Sequence, residues 1–366
     1  MATVTPLRVL VVDDSAYNRK NISEILSTGS EGVEIVGKAS DGEEALRLVA
    51  LLRPDVITLD LEMPRMDGFT FLRILMARQP TPVIVISSYS NKENVFKALE
   101  LGAIDFVAKP DRQFAPDGPI RREILSKVLL VRHLRPLSSI SSAPSRNSSP
   151  MPFRSIEAQQ QSPLSTRTGG GVPRYVVGIG SSTGGPSALL ELFARLPERF
   201  PGAILIAQHM PDKFTKTFAE RLDKKGAIRT VEAQDGDIVS ARRAYICPGK
   251  MCMEITGGFG VGGGYSEMRL RIAGPNANDR YVPSADRLLR SVAQVAGSRS
   301  LGVILTGMGD DGVVGARAIR AAGGNVVVES EETAVVFGMP GAAVRAGVVT
   351  DCLPLPGIGD YLAALT

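Results

Sequence analysis

YVVGIGSSTGGPSALLELF (175–193) falls into three parts: an apolar, β-branched run, a turn of serines, threonine and glycines, and an apolar-periodic stretch that continues through Leu196. The order is strand, tight turn, helix, which is the repeating unit of a parallel α/β sheet. The same grammar recurs towards the C-terminus. AILIAQHMP (203–211) reads as a buried strand followed by a turn, and LGVILTGMG (301–309) repeats it. VVGARAIRAAGG (313–324) reads as a helix ended by glycine, and GNVVVES (324–330) as a further strand. A mixed α/β unit with a mostly parallel sheet is the simplest architecture. The glycine-rich ITGGFGVGGGYSEMRLRI (255–272) breaks the pattern and reads as a hairpin or flexible flap.

Towards the N-terminus lies a second alternating unit. RVLVVDD (8–14), VEIVG (33–37), DVITLD (55–60), PVIVISS (82–88) and AIDFVAKP (103–110) are short β-branched runs ending in acidic or turn residues. Amphipathic stretches such as GEEALRLVALL (42–52) and NKENVFKALELG (91–102) separate them. Five βα repeats with short connections predict a parallel sheet covered by helices on both faces. Ligands of such sheets bind beyond the carboxyl ends of the strands.

Between the units, residues 134–172 hold ten Ser, five Pro and a glycine triplet, with only five charged residues. That composition cannot bury enough apolar surface to offset its chain entropy, so it reads as a flexible linker. The expected organisation is residues 7–130, a linker over 131–172, and residues 173–366. The 366 residues suffice for two cores. A net charge of +4 does not demand nucleic acid or a membrane surface, and no run approaches a membrane span. The start, MATVTPLRVLVVDD, lacks a signal-peptide pattern. Three cysteines, Cys247, Cys252 and Cys352, fit a reducing cytoplasm rather than a disulfide framework. The only histidines are His133 and His209. His133, at the expected end of the last helix of the first unit, is assigned no chemical role.

In the first unit the strand ends converge on Asp13, Asp14, Asp60, Ser87 and Lys109. Three carboxylates at one sheet edge repel one another, and a divalent cation relieves that repulsion. Mg²⁺ suits a few carboxylates with water and phosphate oxygens. A carboxylate beside such a cation and an ammonium can attack an activated phosphoryl group. One such residue at a strand end carries little information; five in register carry much. Residues 7 to about 130 resemble the receiver domains of two-component response regulators, on Asp13-Asp14, Asp60 with Met63-Pro64 and Asp67-Gly68, Ser87, and Lys109-Pro110. The resemblance implies that Asp60 accepts the phosphoryl group. It also implies that Asp13, Asp14, Asp60 and the Glu62 carbonyl hold Mg²⁺, that Ser87 hydrogen-bonds the phosphoryl group, and that Lys109 pairs with it. Phe106 stands where that family often has an aromatic switch residue.

In the second unit the turn after the 175–180 strand can serve phosphate binding or a nucleophile elbow. A P-loop is excluded by the missing Gly-Lys-Ser/Thr, and a dinucleotide G-x-G-x-x-G occurs only in shifted form. A serine nucleophile needs a base, and the unit holds one histidine, His209, just past a strand. The histidine needs an acceptor, and LTGMGDDG (305–312) offers Asp310 and Asp311. Residues 174 to about 360 resemble the catalytic domain of chemotaxis protein-glutamate methylesterases, the CheB family, on GSSTGG, QHMP and LTGMGDDG.

That resemblance implies Ser182 as nucleophile, His209 as general base and acid, and Asp311 as the orienting carboxylate. The Met308 N–H would serve the oxyanion hole, with Thr183 beside the nucleophile. Ser181 stands where that family usually has alanine, and Asp310 adds a second carboxylate, so each choice within a pair follows family spacing. The implied activity is phosphorylation-activated demethylation of glutamate methyl esters, with deamidation of glutamines, on helices of methyl-accepting chemoreceptors. A chemotaxis histidine kinase would be the phosphodonor, the location cytoplasmic, and ester hydrolysis would need no cofactor. Two rivals differ in kind. A DNA-binding regulator would need a helix-turn-helix after the linker, and a non-catalytic adaptor would survive loss of Ser182.

Overall fold

The computed structural model describes residues 5–29, 32–88, 92–109, 118–134, 171–259 and 265–365. Most of the expected linker and Pro110 lie outside them.

The N-terminal unit runs β1 (Leu7–Val12), α1 (Ala16–Gly29), β2 (Val33–Ala39), α2 (Gly42–Leu52), β3 (Val56–Leu59), α3 (Gly68–Arg78), β4 (Val83–Ser88), α4 (Lys92–Glu100), β5 (Asp105–Lys109) and α5 (Pro119–Leu130). Its sheet is ordered β2-β1-β3-β4-β5, and every pairing is parallel. Each β-branched run identified in the sequence is one of these strands. β3 is buried along its whole length, as a central strand covered on both faces should be. Asp41 and Asp67 cap α2 and α3 by accepting from their first-turn amides.

The C-terminal unit runs β6 (Val176–Ser181), α6 (Gly185–Arg195), β7 (Ala203–Gln208), α7 (Asp212–Lys225), β8 (Arg229–Glu232), β9 (Arg243–Ile246), β10 (Cys252–Phe259), β11 (Tyr265–Ala273), α8 (Ala285–Ala296), β12 (Ser300–Ile304), α9 (Val313–Ala321), β13 (Asn325–Glu329), α10 (Met339–Arg345), β14 (Asp351–Leu353) and α11 (Leu355–Ala363). Seven strands form one parallel sheet, ordered β14-β13-β12-β6-β7-β9-β8. The chain builds outward from β6 in one direction and resumes at β12 in the other. The crevice where the direction reverses lies beyond the carboxyl ends of β6 and β12. The glycine-rich segment is the antiparallel hairpin β10-β11, with a register shift between Thr256 and Gly258.

β6 is fully buried yet holds Gly178 and Gly180. A β-carbon at 178 would lie 2.6 Å from Leu289 Cδ2, and one at 180 would lie 2.6 Å from Ala285 Cβ. The glycines therefore let α8 settle directly onto the central strand.

The two units pack together. Phe96 of α4 stacks on Phe218 of α7 at 5.4 Å between ring centroids, and Phe106 of β5 meets Phe214 at 4.6 Å. One hydrophobic cluster runs continuously through both. Around it, Arg221 of α7 pairs with Glu93 (3.2 Å) and Glu100 (2.7 Å) of α4.

Candidate functional sites

At the carboxyl edge of the first sheet, Asp13 and Asp14 follow β1, Asp60 follows β3, and Lys109 closes β5. Ligand oxygens of Asp13, Asp14 and Asp60 all lie within 4.8 Å of one another. The Lys109 ammonium donates to Asp13 Oδ2 (2.8 Å) and Asp60 Oδ2 (2.6 Å). Burial raises the Asp60 pKa above the ordinary carboxylate value; Lys109 opposes that and Asp13 adds to it. Burial works against the Lys109 ammonium, but the Asp60 and Asp13 carboxylates outweigh it and hold its pKa above the usual value. Three converging carboxylates are the donor set a hard divalent cation takes, so these residues fit Mg²⁺. Ser87 is buried near the end of β4, and the Glu62 N–H donates to Asp60 Oδ1 (3.4 Å). Phe106 is buried and faces the other unit through Phe214.

In the second unit, β6, β7 and β12 are adjacent, so the segments after them meet at one edge. The His209 N–H donates to the Ser181 carbonyl (3.0 Å), and the Ser182 N–H to the Thr306 carbonyl (3.0 Å). Gly307 touches the serine turn so closely that a β-carbon there would lie 2.8 Å from Ser182 Cβ. The imidazole Nε2 of His209 is 2.8 Å from Asp311 Oδ2. Asp311 is buried and accepts two further bonds, from the N–H groups of Ala285 (2.7 Å) and Asp286 (2.9 Å). Those amides form the first turn of α8, whose positive end complements a carboxylate. Among the described residues the Ser182 hydroxyl makes no hydrogen bond.

The paired candidates separate by environment. Ser181 is the last residue of β6 rather than part of the turn; its hydroxyl is fully buried and donates to Gln208 Oε1 (2.6 Å). Ser182 is half-buried. Asp310 is exposed and accepts from Tyr281 (3.0 Å) and Arg280 (3.2 Å). Met308 is exposed, and Thr183 is buried. Neither Cys247 nor Cys252 suits a nucleophile, because burial raises both thiol pKa values.

Three contributors escaped the sequence reading. Gln208 ties the site together: its amide donates to the carbonyls of Ser182 (2.9 Å) and His209 (3.0 Å). The Tyr281 ring lies parallel to the His209 imidazole at 5.3 Å. The Thr183 hydroxyl donates to Asp105, across the boundary between the units. Gln208 sits within the QHMP motif and could have been weighed; Tyr281 and Asp105 carry no local signal.

A partly exposed hydroxyl, an imidazole held by a buried carboxylate, and nearby backbone donors can carry out acyl transfer. The CheB methylesterase family profile matches residues 177–362, and the response regulator receiver domain profile matches residues 9–114. The chain is 46% identical over 366 residues to protein-glutamate methylesterase/protein-glutamine glutaminase 1 of Myxococcus xanthus (strain DK1622), covering 100% of this chain and 99% of that one. It is 48% identical to the Geobacter sulfurreducens protein-glutamate methylesterase/protein-glutamine glutaminase 3, over 95% of this chain and 94% of the relative. A third relative, protein-glutamate methylesterase/protein-glutamine glutaminase 6 of Anaeromyxobacter dehalogenans, is 47% identical over 96% of this chain and 93% of its own length.

Proposed function

Because the chain belongs to the CheB methylesterase family and carries a response regulator receiver domain in front, we propose that it is a phosphorylation-controlled protein-glutamate methylesterase and protein-glutamine deamidase. Its receiver would span 7–130, its linker 131–172 and its catalytic domain 173–366.

Ser182 Oγ attacks the γ-carbonyl of a glutamyl methyl ester. His209 takes the hydroxyl proton; with Nε2 engaged by Asp311, Nδ1 is the nitrogen left for it. The carbonyl oxygen becomes an oxyanion, stabilised by the N–H groups of Met308 and Thr183. The proton then passes from His209 to the methoxide oxygen, and methanol leaves. Water, deprotonated by the same nitrogen, releases glutamate and restores Ser182. A glutamine side chain follows the same course with ammonia as the leaving group. Asp311 fixes the ring and its tautomer. The Ser182–His209 hydrogen bond forms as substrate binds, as catalytic bonds of free enzymes often do.

In the receiver, Asp60 accepts a phosphoryl group from a histidine kinase. Asp13, Asp14, Asp60 and the Glu62 carbonyl would hold Mg²⁺, which would offset charge on the phosphoryl oxygens. Lys109 and Ser87 then bind the phosphoryl oxygens on Asp60, which draws Lys109 from Asp13 and biases the domain between two packings. The substrates are methyl-accepting chemoreceptors, on whose cytoplasmic helices the sites lie, and the enzyme works in the cytoplasm. Among the described residues no helix is long and apolar enough to cross a membrane.

The observation that carries this reading is Asp311, buried at the head of α8 and bonded to the domain's one histidine beside the Ser182 turn. The test is mass spectrometry of the chain after treatment with a fluorophosphonate. Label is expected on Ser182 and is lost in His209→Ala. Label on Ser181, or none, refutes the assignment.

A further inference from the structure

A groove of about 740 Å³ opens beside Asp311, between the loop at 276–284, α8, the start of α9 and α10. Each of its carboxylates already has a partner, and Asp310 alone among them is exposed. Asp311 holds His209, and Asp286 Oδ1 accepts from the Gly315 N–H (2.8 Å). Glu254 (3.1 Å) and Asp279 (2.8 Å) share Arg287, while Asp310 takes Tyr281 and Arg280. Two cations of the same groove are not committed. Arg290 of α8 and Arg345 of α10 are exposed, and neither pairs with a carboxylate among the described residues. Val314 in the groove wall is 50% exposed, and Val344, the neighbour of Arg345, is 43% exposed. The receiver contacts Thr183, α6, α7 and Val335, none of which lines the groove.

We propose that this groove is a substrate subsite, in which Arg290 and Arg345 bind carboxylates that flank the scissile ester on an acidic amphipathic helix. The proposal rests on the esterase reading above and adds how the protein substrate is recognised. A guanidinium presents a planar fork of donors that matches a carboxylate, and it keeps its charge at any working pH. Residues three, four and seven apart share one helix face, so a helix presenting the ester to Ser182 also presents its neighbouring glutamates to the same side. Val314 and Val344 would seat its apolar stripe. Each turnover converts a neutral ester into a carboxylate. The product of one reaction is therefore a better ligand for this groove while a second ester on the same helix is cleaved.

The test uses the full chain, activated by a small phosphodonor, and two helical peptides with one glutamate γ-methyl ester each. One peptide has glutamates at the flanking positions on the same face; the other has alanines there. The readout is the ratio of kcat/KM values for methanol release, so any general loss of activity in a variant cancels. The wild-type chain is expected to prefer the acidic peptide about fivefold to tenfold at low salt, with the preference shrinking as salt rises, as for exposed ion pairs. Arg290→Glu/Arg345→Glu is expected to abolish or invert the preference, and Arg290→Ala/Arg345→Ala to reduce it. Ratios equal in wild type and both variants overturn the groove assignment while leaving the esterase reading intact. No methanol from either peptide overturns both.

Discussion

The Thr183 hydroxyl, next in sequence to Ser182, the proposed nucleophile, donates to the Asp105 carboxylate of the receiver at 2.5 Å. The other Asp105 oxygen takes the Lys127 ammonium at 3.0 Å. Burial works against that ammonium, but Asp105 and Glu123 outweigh it and hold its pKa up. A buried ionic pair of α5 and β5 thus ends on the loop that carries Ser182. Asp105→Asn keeps the shape and removes the charge. A hydrogen bond to a charged group contributes about 1.5–3 kcal/mol, so methanol release by the unphosphorylated chain should rise at least about tenfold, towards the phosphorylated rate. An unchanged basal rate in Asp105→Asn would show that the latch does not restrain the enzyme.

Ser181 and Ser182 should respond oppositely to alanine. Ser182→Ala should lower kcat by about 10³-fold or more, as loss of a nucleophile does. Ser181→Ala removes only the bond to Gln208 and should cost about 1 kcal/mol of stability with turnover largely retained. Paired assays of methanol release and urea unfolding would separate the two.

Metal should matter for control but not for chemistry. The carboxylates of Asp13, Asp14 and Asp60 converge in the receiver, and no comparable cluster of metal-ligating side chains occurs elsewhere among the described residues. EDTA should abolish the stimulation of methanol release by a small phosphodonor and leave the basal rate in place. Loss of the basal rate in EDTA would count against a metal-free hydrolysis.

Glu329, at the end of β13, is buried and accepts from the Thr306 N–H at 2.8 Å; Thr306 in turn bonds Ser182 and Thr183 through its carbonyl and hydroxyl. Burial raises its pKa from 4.5 to about 7. The folded chain therefore keeps a proton that the unfolded chain has lost between those values, and stability falls as pH rises from 4.5 to about 7. Glu329→Gln cannot ionise. The variant should gain up to about 3 kcal/mol over wild type above pH 7, and no such gain near pH 4.5. Urea denaturation at the two ends of that range measures the difference.

The longer strands of both sheets were legible because buried parallel strands must be continuous apolar runs; VITL of β3 and AILIAQ of β7 leave little choice, whereas the four-residue interior strand β9, RAYI, was too short to stand out. The edges were not. β8 and β14 are four and three residues long and only partly buried, so no apolar pattern marks them. The proposed catalytic elements were legible for a related reason: a turn must follow each buried strand, and Ser182, His209 and Asp311 occupy the segments after β6, β7 and β12. The choice between Ser181 and Ser182 rested on family spacing alone, since one residue of register decides which hydroxyl is sealed inside. Tyr281 and Asp105 reach the site only through tertiary packing, over 72 and 78 residues from His209 and Thr183.

The two glycines of β6 have a mechanical consequence. With no side chains between them, the strand that launches Ser182 and the helix whose amides clamp Asp311 ride together as one rigid plate. Ser182 and the amides that hold Asp311 are thereby fixed to one strand–helix pair. A single methyl group added at Gly180 would pry that plate open, misaligning alcohol and acid at once without touching either.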